Sequence, residues 1–161
     1  MSNAKMRLAV ALVAIWTAGS AGVPVCVAQT ADIAVVVNQS NPVDHLSIQE
    51  VRKIFAGEKR SWAGGSPIKL FVRAPGARER VALLKLLDMS EDQYRQHWTA
   101  AVFRGEAQSE PIALFSNGMQ KEAIGVYPGG VALVNAQDVK SGMKMVRVEG
   151  HLPGEAGYPF N

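Results

Sequence analysis

The chain has 161 residues, with 17 Lys plus Arg against 14 Asp plus Glu and a single cysteine. A formal charge of +3 at pH 7 without a clustered cationic stripe excludes nucleic acid as an expected partner. The lone Cys26 excludes a disulfide framework and a cysteine-ligated metal centre.

Residues 1–28 read as a secretory signal peptide. Lys5 and Arg7 form a positive region, residues 8–16 an apolar one, and Cys26-Val27-Ala28 a small-residue cleavage site before Gln29. The apolar run is broken by Gly19, Ser20, Gly22 and Pro24, well short of the roughly 20 apolar residues that cross a bilayer. Val25 ahead of Cys26 argues against lipidation. Cleavage removes Lys5 and Arg7 and leaves 15 basic against 14 acidic residues, a net charge of +1. The expected location is the periplasm, with one domain over residues 29–150 and a flexible Gly/Pro-rich tail over 151–161.

In chain order, residues 33–38 form a β-branched apolar run ended by Asn38-Gln39-Ser40-Asn41-Pro42, which predicts a buried strand and a turn. Ser47-Ile48-Gln49-Glu50 is a capping box, and Leu46, Val51, Ile54 and Phe55 follow helical spacing up to Gly57. A Gly/Pro-rich loop carries Trp62, expected as a core plug. A strand is predicted over 68–72, broken by Arg73-Ala74-Pro75-Gly76. The next helix starts near Ala77 or Arg78, its apolar face being Val81, Leu84 and Leu87 or Leu83 and Leu86. A second capping box at Ser90-Glu91-Asp92-Gln93 opens a further helix with Tyr94, Trp98, Ala101 and Val102 on one face. Residues 111–115 predict one or two helical turns. Strands are predicted over 123–127, 131–134 and 144–148. The alternation of strands and helices argues for a layered α/β domain.

His45, His97 and His151 lack metal-site spacing, so no metal is expected. Neither a Gly-x-Ser-x-Gly elbow nor a phosphate-loop or dinucleotide glycine pattern occurs, so no enzymatic function and no cofactor are expected.

Leu46-Ser47 through Glu50, Ile54-Phe55-Ala56-Gly57, Trp62, the strand ending at Arg73, Gly76, and Ala123-Ile124-Gly125-Val126 stand in the order and spacing of a known pattern. Over about residues 33–148 the chain resembles the periplasmic phosphate-binding proteins of ABC import systems, in the type 2 periplasmic binding protein superfamily. The resemblance implies an α/β fold, a single three-layer-like lobe with a mixed sheet flanked by helices. It starts at what resembles the crossover strand, so most of the second lobe is expected to be absent. It also implies a ligand site at Arg73, Gly76, Ala77 and Arg78. In the family an Arg precedes a Gly-Ser-Gly-Thr turn around phosphate; here Ala77, Arg78 and Glu79 stand where Ser, Gly and Thr would. Both hydroxyl donors are gone and a carboxylate has arrived.

The helix start after Gly76 still offers backbone N–H groups and a positive dipole end to an anion, and Arg73 a forked cation. Set beside this is the plainer reading that Arg73, Arg78 and Arg80 are solvated surface charges. Two functions follow as expectations: a solute-binding module with a weak or degenerate site for phosphate or another oxyanion, or an interaction domain that has lost its ligand. The expected protein partners are a membrane permease, another periplasmic protein, or a second copy docking on an apolar face.

Overall fold

The computed structural model describes residues 32–160, so the signal-peptide reading lies outside the described residues. Strand β1, Ile33–Asn38, is buried at every position. Ile33, Val35 and Val37 join one core cluster, whereas Ala34 and Val36 join another on the opposite side of the sheet. That two-sided burial is why the run is apolar throughout rather than alternating with polar residues.

β1 lies between β5, Gly130–Asn135, and β6, Met143–Met145, antiparallel to both. β3, Lys69–Arg73, pairs parallel with β5 and with β4, Ile112–Leu114, giving the order β4-β3-β5-β1-β6. β2, His45–Leu46, and β7, Arg147–Val148, form a separate parallel pair.

Helices α1, Ile48–Phe55, α2, Arg78–Leu87, and α3, Glu91–Phe103, supply side chains to the first core; α4, Asn117–Val126, supplies Ile124 to the second. The sheet is thus sandwiched between helical layers, the mixed α/β lobe that the sequence leads one to expect. Both capping boxes form as read, Ser47 with Glu50 and Ser90 with Gln93. Of the two faces offered for α2, Leu83 and Leu87 are buried while Val81 is 59% exposed. On α3, Tyr94, Trp98 and Ala101 are buried, and Val102 is exposed. Trp62 is buried, its indole N–H donating to the Gly129 carbonyl at 3.1 Å.

Three sequence readings are corrected. Residues 123–127 are not a strand but the end of α4. Ser116 caps that helix by accepting from the Met119 amide at 3.2 Å, and the buried Gln120 amide donates to the Leu133 carbonyl at 2.9 Å. A short apolar run looks alike in a strand and in a helix that buries a narrow face, and α4 buries only Gln120 and Ile124. Residues 111–115 are not helical; they hold the edge strand β4, set by parallel pairing of Val72 with Ala113. The predicted strand over 144–148 is two short strands in different sheets, parted at the buried Val146.

The Gly/Pro-rich end, read as loosely held, packs back onto the first strand. Tyr158 and Phe160 are buried, and the Tyr158 hydroxyl donates to the Ile33 carbonyl at 2.7 Å.

Candidate functional site

The parallel strands β3 and β4 end side by side, Arg73 in register with Leu114, and each runs into a helix. The Ala74 amide donates to the Leu114 carbonyl at 3.0 Å, so the two crossings are tied where they leave the sheet. Crevices beyond the carboxyl ends of parallel strands are where α/β folds hold ligands.

After β3 the chain turns through Ala74-Pro75-Gly76-Ala77, closed by the Ala77 amide donating to the Ala74 carbonyl at 3.3 Å. Gly76 has φ +87°, a left-handed conformation that glycine adopts without strain. Ala77 is the N-cap of α2, and without a hydroxyl or carboxylate it caps no amide with its side chain. The first turn of α2 therefore lacks an N-cap side-chain acceptor.

Glu79 and Arg73 meet at this helix start. Glu79 is buried, and its Oε2 lies 3.7 Å from Arg73 Nε. Their side chains are 6% and 15% exposed, respectively. Arg73 Nε and Nη1 are sealed from solvent and make no hydrogen bond among the described residues, so the pair is coulombic rather than hydrogen-bonded. A carboxylate in the first helical turn also complements the positive dipole end. The turn thus holds an anion already, and that anion is the protein's own side chain.

Arg73, Gly76, Ala77 and Arg78 occupy one turn, but their side chains part. Arg73 points into the protein, while Arg78 is exposed and lines a groove on the outer side of α2. Arg80 corrects the reading of solvated charges: it is 6% exposed, stacks 3.9 Å from the Tyr94 ring centroid and pairs with Glu91. It is a structural cation.

Two residues beside the turn were missed by sequence reasoning because 111–115 was read as helix. Phe115, directly after β4, is 75% exposed, and Ser116 opens α4. The sequence signal that could have found them is Ser116, a hydroxyl residue at a helix N-cap position. His97 Nε2 lies 2.8 Å from the Ala56 carbonyl, His45 is exposed on β2, and His151 sits against Gly157. They do not converge. No helix among the described residues is long and apolar enough to cross a membrane.

A family model described as a PBP superfamily domain matches residues 19–158, and the chain belongs to that superfamily. Among solved structures it is similar to an ABC-type phosphate transport receptor from Vibrio cholerae, at 20% identity and TM-score 0.61, over 76% of this chain and 48% of that one. It is also similar to PstS from Borrelia burgdorferi, at 15% identity and TM-score 0.57, over 76% of this chain and 49% of that one. The chain thus spans about half the length of the structures it matches. At these identities the likeness establishes the fold: a mixed five-stranded sheet with flanking helices, as in the phosphate receptors.

Proposed function

We propose that the chain is an exported, solute-binding-like module of the phosphate-receptor kind whose oxyanion site at the Arg73 turn is degenerate. The observation that carries this reading is the buried Glu79 carboxylate 3.7 Å from Arg73, at the start of α2. A free oxyanion entering the turn meets a like charge already in place, without the two hydroxyls that the related receptors' motif would supply. Binding is accordingly weak, and no chemistry is performed on the solute.

Calorimetry with inorganic phosphate at low salt tests it. The unaltered chain is expected to bind no tighter than millimolar. Glu79→Thr removes the resident charge and restores one hydroxyl, and it should tighten binding about tenfold, the order of one hydrogen bond to a charged group. Submicromolar binding by the unaltered chain would overturn the reading.

A second reading, an interaction domain that no longer takes a ligand, is favoured by Phe115 and Met119. They are 75% and 42% exposed, directly after β4 and in the first turn of α4 respectively. A membrane permease, another periplasmic protein or a second copy would cover them. Sedimentation of the chain and of Phe115→Ser at micromolar concentration separates self-association from a monomer.

A further inference from the structure

Strand β4 closes one end of the five-stranded sheet, and among the described residues no strand pairs with its outer side. The Leu114 carbonyl accepts from the Ala74 amide, so Ile112 and Leu114 turn their backbone groups toward β3. Alternation along the ladder then turns the N–H and C=O of Ala113 outward, and Ala113 is exposed. Ile112 on the same edge is 38% exposed, and Phe115 just beyond it 75%. Sheet edges are commonly guarded by charge, and the opposite edge strand β6 carries Lys144, whose ammonium bonds the Asn41 carbonyl and Asp44. Residues 111–116 are Pro-Ile-Ala-Leu-Phe-Ser and carry no charge.

A residue with both backbone groups facing out can exchange two hydrogen bonds with its own twin across a two-fold axis. Antiparallel pairing centred on Ala113 sets Ile112 opposite the second copy's Leu114, Pro111 opposite its Phe115, and Glu110 opposite its Ser116. Apolar residues thereby meet apolar ones. The exposed Glu110, which accepts from the Thr99 hydroxyl at 3.2 Å, meets the start of α4, where the helix dipole is positive, rather than another carboxylate. Pro111 has no N–H to offer and ends the run that can pair.

We propose that β4 is the edge through which two copies of the chain pair into one continuous sheet. The inference rests on the second reading above, a domain that acts by association, and commits it to a second copy. The two-fold uses the β4 edge of both copies, so this contact closes at a dimer. A few residues a side make a small interface, and a dissociation constant of about micromolar order is expected.

The test is sedimentation equilibrium across micromolar concentrations on the unaltered chain, Ala113→Pro and Ala113→Lys, with circular dichroism checking that each variant is folded. Ala113→Pro removes the outward amide and leaves the ladder to β3 untouched. Ala113→Lys keeps the amide and sets two ammonium groups opposite each other. The unaltered chain should dimerise, and each variant should raise the dissociation constant about tenfold or more. Exchange of the Ala113 amide, followed by NMR, should slow as the unaltered chain is concentrated. Undiminished dimers in both folded variants would overturn the β4 contact and leave association through another surface standing. A chain monomeric throughout would overturn the β4 contact and, with it, self-association as a form of that reading.

Discussion

Arg80 lies over Tyr94, its guanidinium carbon 3.9 Å from the ring centroid, and pairs with the Glu91 carboxylate. The arrangement ties the start of α2 to the start of α3 through a cation that is 7% exposed and a carboxylate that is 38% exposed. Because Glu91 regains water when its partner is removed, the loss on Arg80→Leu comes mainly from stacking and from the packed stem. We expect about 1–3 kcal/mol, read from urea unfolding. Arg80→Lys should not recover it, since an ammonium neither stacks as a plane nor forks to a carboxylate.

Acid should weaken the fold modestly. The Arg80 hydrogen bond holds the Glu91 carboxyl below its ordinary range, and the Ser47 backbone amide together with Lys59 does the same for Glu50. A carboxyl lowered in the folded state stabilises it above the unfolded value near 4.5, and that gain is lost as pH falls through the folded value. Both side chains are substantially exposed, so each contributes less than about 1 kcal/mol. Melting temperatures should fall below about pH 4.5, and the slope should be shallower in Arg80→Leu.

At the alkaline end the sign reverses. Burial pushes the Tyr94 phenol up to about 12 and the Tyr158 phenol upward too. Their unfolded counterparts ionise near 10, so the stability they give is complete below about pH 10 and lost as pH rises through the folded values. Tyr94→Phe keeps the ring beneath Arg80 and should flatten part of this loss. Tyr158→Phe also gives up the hydrogen bond to the Ile33 carbonyl and should cost about 1 kcal/mol at neutral pH. Thermal melts at a series of alkaline pH values distinguish the two.

Gly57→Ala should be among the more damaging single-methyl additions. Gly57 has φ +79°, and a Cβ there would stand 2.5 Å from the Trp98 ring. Strain and collision with a rigid indole together predict a loss of about 2–4 kcal/mol, measurable as a fall in the urea midpoint.

Legibility followed local signal. The two capping boxes and β1 were readable because each is fixed by side chains close in sequence or by an unbroken apolar run, and the Trp62 plug because a large aromatic in a Gly/Pro-rich loop gains most by burial. β4 was not, because three residues at a sheet edge owe their conformation to β3, far away in the chain. α4 was misread in part because its buried polar residue, Gln120, breaks the apolar periodicity that would reveal a helix. At the candidate site the loss of both hydroxyls and the arrival of Glu79 were visible from sequence. The inward direction of Arg73, the burial of Glu79 and the structural use of Arg80 were not, since spacing does not say which of the three arginines turn inside.

Strand β1 lies one place in from the β6 edge of the sheet, and its neighbours come from much later in the sequence: Ile33 is matched to Asn135, Val36 to Met145, and the Ile33 amide to the Phe160 carbonyl. During synthesis β1 precedes both of its sheet partners, and its pairing waits until the residues up to Phe160 have been made. Such late closure implies slow, all-or-nothing assembly, in which removal of Tyr158 and Phe160 leaves β1 without its clasp.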